Sequence, residues 1–226
     1  MLAPLSAESI RLIEVRGGLG AVPGVRLSGV AAGIKKRKSD LALIALEGPH
    51  VCAEVVTTNE IKAAPLVAST AHLEFDGEQM GAIVVNSGCA NACTGDRGLR
   101  DARATARQAA TLLGLRPTQV VVASTGVIGV YLPMDRLSKG LERAVKTLAH
   151  GPEACFDAAE AIMTTDHVPK MAAYAWHEGE RRYVVGGIAK GSGMISPAMA
   201  TMLAFVVTDA PMSRAGLQDA LREASD

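Results

Sequence analysis

The chain has 226 residues, and its 23 basic side chains balance 23 acidic ones, so the formal net charge is zero. That length holds one large domain or two small ones, and 49% apolar residues exclude wholesale disorder. A neutral chain lacks the basic surface of a nucleic-acid scaffold, and aromatics at 3% leave little to stack on single strands.

In chain order, the opening MLAPLSAESIRLIEVRGG has no basic segment leading into a long apolar run, so it does not read as a secretory signal. Leu41–Leu46 (LALIAL) and Val51–Val56 (VCAEVV) read as strands bracketing a turn at Gly48-Pro49. Ala82–Val85 and Val120–Ala123 are short, continuous apolar runs of the kind that form buried strands. Leu99–Leu113 is rich in Ala, Arg and Leu, with Asp96 near its start and Gly114 and Pro117 to stop it, which predicts a helix. Pro133–Leu148 repeats apolar residues at Leu137, Leu141, Val145 and Leu148, the spacing of one helical face. Pro152–Met163 and Ala215–Ala224 read as further helices, and Tyr183–Ile188 and Leu203–Val207 complete the strands. This mixture predicts an α+β or α/β domain. Gly191–Thr208 carries no charge and is long enough to raise the transmembrane question, but Gly191, Gly193 and Pro197 suit buried or active-site backbone better than a spanning helix. The expected compartment is the cytoplasm, with no membrane or nucleic-acid partner. Cys52, Cys89, Cys93 and Cys155 form no disulfide framework, and with scattered histidines they read as small buried thiols rather than a metal site.

Three stretches of small residues carry hydroxyls or amides. Asn86–Gly95 (NSGCANACTG) is either a turn into a helix or a ligand-facing loop. Ser124–Gly129 (STGVIG) is either an ordinary glycine turn or a place where backbone N–H groups converge on an anion, as an oxyanion hole requires. Lys190–Leu203 (KGSGMISPAMATML) sets a glycine-flanked lysine ahead of a threonine that opens an apolar strand. Its pattern is not a P-loop. A threonine hydroxyl is a weak nucleophile without a base, but cutting the preceding peptide bond frees its own α-amine for that task. Ala200 before Thr201 leaves such a junction unobstructed, although most threonines at strand starts are merely strand formers.

At these residues the sequence closely resembles the ornithine acetyltransferase family, the bifunctional glutamate N-acetyltransferases of arginine biosynthesis. The matching blocks are GVAAGIKK (Gly29–Lys36), TTNEIKAAP (Thr57–Pro65), AIVVNSGCANACTG (Ala82–Gly95), VVASTGVIG (Val121–Gly129), AEAIMTTD (Ala159–Asp166) and GGIAKGSGMISPAMATMLAF (Gly186–Phe205). The resemblance implies self-cleavage between Ala200 and Thr201, giving an α region over 1–200 and the start of a β region over 201–226. Thr201 would then be the nucleophile that takes acetyl from N-acetylornithine and passes it to glutamate. Thr125 and Gly126 match the oxyanion-hole pair; Lys190, Thr201 and one of Thr164 and Thr165 match substrate contacts. No metal or organic cofactor is implied, although some members use acetyl-CoA as donor. The implied fold is an αββα sandwich of stacked mixed sheets, and the implied assembly is an α₂β₂ heterotetramer. Cys89 stands where the family more often has Asn, and His167 where it more often has Thr. The chain stops 26 residues after Ala200, so most of the β region is expected to be missing and this chain alone to be inactive. The competing readings are an N-terminal-nucleophile aminopeptidase or amidase, and a folded, non-catalytic remnant.

Overall fold

The computed structural model describes residues 11–192 and 202–225. Among them the elements run β1 (Ile13–Glu14), β2 (Val25–Val30), β3 (Leu41–His50), α1 (Ala64–Asp76), β4 (Met80–Cys89), α2 (Gly95–Leu113), β5 (Val120–Val127), α3 (Met134–Lys146), α4 (Pro152–Ile162), β6 (Lys170–Glu178), β7 (Arg181–Lys190), β8 (Leu203–Thr208) and α5 (Arg214–Glu223). The class is mixed α+β, as the sequence predicts. The strands form two four-stranded sheets, ordered β2-β3-β4-β5 and β1-β6-β7-β8. The first is antiparallel except for the parallel β4/β5 pair, and the second is antiparallel throughout.

Alternation along the strands of the first sheet splits the core in two. Leu41, Leu43, Val84, Val120 and Val122 meet Ala102, Ala106 and Ala109 of α2 and Leu137 and Leu141 of α3 on one side. On the other side Leu27, Ala42, Ile44 and Val85 meet α4, whose Cys155, Ala158, Ala159 and Ile162 belong to the same cluster as Ala175, Val184 and Ile188 of the second sheet. With so few aromatics, alanine-lined close approach supplies much of the packing. A Cβ on Gly29 of β2 would stand 1.9 Å from the Asp157 carbonyl oxygen of α4, so a side chain there would force strand and helix apart.

Local signals place several boundaries well. Gly114 ends α2 with φ 71° and ψ 29°, its N–H donating to the Ala110 carbonyl, as a left-handed C-terminal glycine should. The helix starts at Gly95, one turn earlier than the periodicity suggests, with Asp96 in its first turn. Residues 51–56, by contrast, form no strand. Strand β3 continues through Gly48 to His50, its register shifting after Ala45, and both its edges are already taken by β2 and β4. The 51–56 segment instead follows α1 and α5: the Cys52 N–H donates to Gly77 O (2.7 Å), Thr70 Oγ1 to Glu54 Oε1 (2.6 Å) and Gln218 Nε2 to Glu54 O (3.0 Å). Elements β1, β2, β6 and α1 are additions to the sequence reading. The outer face of the second sheet carries Tyr174 and Val206, which are 40% and 57% exposed, and a Trp176–Tyr183 ring pair 5.6 Å apart. No described helix packs across that face.

Candidate functional site

The parallel β4/β5 pair ends in the register Asn86↔Ser124, Ser87↔Thr125, Gly88↔Gly126. Ser124 Oγ donates to Asn86 Oδ1 (2.6 Å), and Asn86 Nδ2 donates to the Cys89 carbonyl (2.8 Å), so amide and hydroxyl brace the two strand ends. Gly126 has φ +133°, and a Cβ there would stand 2.4 Å from Gly88 C and 2.7 Å from Cys89 N. Only glycine fits. The result is an exposed peptide edge at Gly126 beside a half-buried Thr125 hydroxyl.

Lys190, the last residue of β7, brings a cation from the second sheet to this edge. It is 4% exposed, and its Nζ donates to Thr125 Oγ1 at 3.2 Å. Burial pushes the Lys190 ammonium below its ordinary pKa; Asp166 opposes that shift and Lys170 adds to it. A threonine hydroxyl has one hydrogen to donate. Because Thr125 Oγ1 accepts from the ammonium, that hydrogen remains for another acceptor, and the neighbouring positive charge strengthens it as a donor.

The Thr164-Thr165 pair leaves the C-terminal end of α4 and is exposed. Its approach is fixed from three sides. Ser87 Oγ donates to Ala161 O (2.6 Å), Lys35 Nζ donates to Met163 O (3.1 Å), and the Thr164 N–H donates to Asp166 Oδ2 (3.4 Å). Asp166 is 7% exposed; its Oδ1 also accepts from the Gly191 N–H (2.7 Å) and from Lys170 Nζ (2.5 Å). Burial alone would raise the Asp166 carboxyl, but the bonds from Lys170, Gly191 and Thr164 outweigh it and hold the pKa down at about 2.

The structure therefore brings Thr125, Gly126 and Lys190 together and ties the Thr164-Thr165 segment to Lys190–Gly191 through Asp166. Ala200 and Thr201 lie outside the described residues. The strand that follows them is described: β8 pairs with β7 in antiparallel register, its first residue Leu203 opposite Lys190.

Of the three small-residue stretches, Asn86–Gly95 divides. Asn86 to Gly88 face the strand end, whereas the rest is the turn into α2. There the buried Asn91 donates through Nδ2 to Gly98 O (2.9 Å) and accepts from Thr94 Oγ1 (2.8 Å). Cys89 packs in the core, and its thiol donates to the Val130 carbonyl (3.3 Å), while His167 is exposed beside Asp166. Sequence reasoning missed Asp166, Lys35 and Asp40. Asp40 is fully buried and accepts from the N–H groups of Ala32 (2.6 Å), Gly33 (3.0 Å) and Lys35 (2.8 Å), which shapes the loop that lays Lys35 over Gly88. Its signal was an acid placed directly before the apolar run LALIAL. Among the described residues no group of three or more His, Cys, Asp or Glu side chains could hold a metal, and no helix is long and apolar enough to cross a membrane. A cavity of about 520 Å³ bordered by Glu14, Arg16, Gly18, Pro152 and Met171 contains none of these site residues.

Fold and site together define a two-sheet α+β protein in which a buried ammonium donates to a threonine hydroxyl next to an exposed glycine. The chain belongs to the ArgJ family, whose model matches residues 26–226. It is 53% identical over 213 residues to the arginine biosynthesis bifunctional protein ArgJ of Symbiobacterium thermophilum, covering 93% of this chain and 52% of that protein. The Bacillus subtilis protein of the same name is 42% identical over 216 residues, covering 96% of this chain and 52% of its own length. The chain thus spans about half the length of the curated relatives it matches. Among solved structures, ArgJ from Bacillus halodurans superposes with a TM-score of 0.78 at 37% identity, covering 87% of this chain and all (100%) of that one. The ornithine acetyltransferase of Mycobacterium tuberculosis, complexed with ornithine, gives 0.76 at 42% identity, covering 83% of this chain and 98% of that one.

Proposed function

We propose that this chain carries the oxyanion hole and the nucleophile junction of an acetyltransferase of arginine biosynthesis, moving acetyl from N-acetylornithine to glutamate. The observation that carries the proposal is the Lys190 Nζ–Thr125 Oγ1 contact of 3.2 Å beside Gly126, at the sheet end where β7 and β8 meet. Leu203 opposite Lys190 supports the assignment of the nucleophile to Thr201, two residues earlier in sequence.

In the proposed reaction the chain itself first promotes hydrolysis of the Ala200–Thr201 peptide bond: water adds to the Ala200 carbonyl, which leaves as a carboxylate, and the nitrogen takes a proton to become the free α-amine of Thr201. That amine accepts the hydroxyl proton as Thr201 Oγ attacks the acetyl carbonyl of N-acetylornithine. The carbonyl oxygen becomes an oxyanion and takes the Thr125 O–H and the Gly126 N–H as donors. The tetrahedral intermediate expels ornithine, whose leaving nitrogen takes the proton, and an acetyl-Thr201 ester remains. The glutamate amine then attacks the ester, N-acetylglutamate departs, and Thr201 recovers its proton. Lys190 serves twice: it polarises Thr125 and, through the same positive charge, attracts a substrate carboxylate. The Thr164-Thr165 segment lines the substrate side. The proposal uses no metal or organic cofactor, and acetyl-CoA is retained as an alternative donor.

The proposed partner is the remaining half of the family's length, cut from the same precursor and assembled as α₂β₂. The apolar outer face of the second sheet, with Tyr174 and Val206 exposed, supports a covering layer there. Since β8 is laddered to β7 over six residue pairs, a cut before it would leave the two pieces joined by backbone hydrogen bonds. We place the reaction in the cytoplasm, where the free cysteines stay reduced. Incubating the full-length protein with N-acetylornithine and labelled glutamate tests the proposal. Labelled N-acetylglutamate is the expected product; release of amino acids from peptides instead would assign the chain to the aminopeptidases.

A further inference from the structure

The carboxylate of Asp166 lies among groups that belong to two different elements of the site. Its Oδ2 accepts from the Thr164 N–H, on the segment leaving α4, and its Oδ1 from the Gly191 N–H, just past β7. Lys170 Nζ, on the first residue of β6, completes the set. Lys190, adjacent to Gly191, feels the Asp166 charge directly.

Net stability is a weak reason for such a group. Moving a carboxylate out of water costs several kcal/mol that a well-packed apolar side chain would not incur, even though the bonds Asp166 accepts favour its charged form over its protonated one. What the arrangement supplies is geometry. A carboxylate that accepts on both oxygens fixes the separation of the two backbone N–H groups it holds. One of these is on the Thr164-Thr165 segment, and the other follows the lysine aimed at Thr125.

We propose that Asp166 is a positioning residue: it locks the Thr164-Thr165 segment to the Lys190–Gly191 strand end, and so holds the Lys190 ammonium on Thr125 and the exit of β7 in the arrangement that acyl transfer needs. This rests on the function proposed above and deepens it. Asp166 touches no reacting atom; it acts through Lys190 and Thr164. Misplacement of about 1 Å at a site of this kind costs on the order of a hundredfold in rate, so a modest relaxation of this tie has a large kinetic effect.

The test uses the full-length protein and the variants Asp166→Asn and Asp166→Glu. Asp166→Asn removes one acceptor and the charge, whereas Asp166→Glu keeps the charge and displaces it by one methylene. Both are expected to lower kcat for acetyl transfer by at least about tenfold, with KM for N-acetylornithine within about threefold of wild type. Both are also expected to speed hydrogen exchange at the Gly191 amide while circular dichroism stays native. A full rate in Asp166→Glu would show that charge alone suffices and would overturn the positioning role, as would an unchanged kcat in Asp166→Asn. If the wild type itself transfers no acetyl, the proposed function fails, and the Gly191 amide then decides this inference separately. Faster exchange in the variants supports the tie, and unchanged exchange overturns it. Should neither variant fold, the wild-type Gly191 amide is read alone: strong protection supports the tie, and free exchange removes it.

Discussion

Replacing Thr125 separates the chemistry of the strand end from its packing. Thr125→Val keeps the branched shape and deletes the hydroxyl. That hydroxyl accepts from Lys190 Nζ at 3.2 Å, and under the proposed function it donates its hydrogen to the developing oxyanion. Losing one oxyanion donor costs on the order of a hundred- to a thousandfold in kcat, or about 2.7–4 kcal/mol of transition-state stabilisation. The stability cost is smaller. A hydrogen bond to a charged group contributes about 1.5–3 kcal/mol, and the half-buried position of Thr125 puts the expected loss at the lower end of that range. Thr125→Ser restores the oxygen and is expected to recover most of the rate. The assay is single-turnover acetyl transfer in the full-length protein, with thermal unfolding measured alongside. A Thr125→Val enzyme within about threefold of wild type, at equal folded fraction, would refute the oxyanion assignment.

The remaining predictions concern the frame around that hydroxyl. Gly126→Ala combines a φ of +133° with a Cβ 2.4 Å from Gly88 C, so it is expected to destabilise the fold by about 2–4 kcal/mol in denaturant titration; an unchanged midpoint would contradict the strand-end geometry. Asp40→Ala leaves the buried N–H of Ala32 and the half-buried N–H groups of Gly33 and Lys35 without their acceptor and is expected to cost about 2–4 kcal/mol, whereas Asp40→Asn recovers part of it. The Asp166 carboxyl is held at about 2 in the folded chain, below its ordinary value, so the folded state binds its proton less readily than the unfolded state does. Its contribution to stability is therefore complete above the ordinary carboxylate range and is lost as pH falls from about 4 to about 2. Acid titration of the unfolding free energy is expected to flatten over that window in Asp166→Asn, and an unchanged slope would contradict the assignment.

What was legible in the sequence is local. A continuous run such as Val120–Ala123 becomes β5 because a β-branched stretch suits a buried, parallel-paired strand, and Gly114 ends α2 because only glycine takes its left-handed conformation at no cost. The run VCAEVV misled because strand propensity cannot tell that both edges of β3 are occupied. Helix α1 was missed because Val67, Ser69 and Thr70 dilute its pattern, while Val67 and Phe75 stand in water. The site divides in the same way. Thr125, Gly126 and Lys190 were legible through block resemblance, and their contact joins residues 65 positions apart. Lys35 reaches Met163 across 128 positions, and the weight of Asp166 depends on Gly191, which periodicity does not link to it. The one available hint was an acid closing the hydroxyl pair in MTTD.

The most direct test of the central claim is peptide mapping by mass spectrometry of the full-length protein after brief exposure to N-acetylornithine without glutamate. The account predicts a fragment beginning at Thr201 that carries one acetyl ester and loses it when glutamate is added. Undiminished transfer with residues 200 and 201 still joined, or an acetyl group on any other residue, would contradict it.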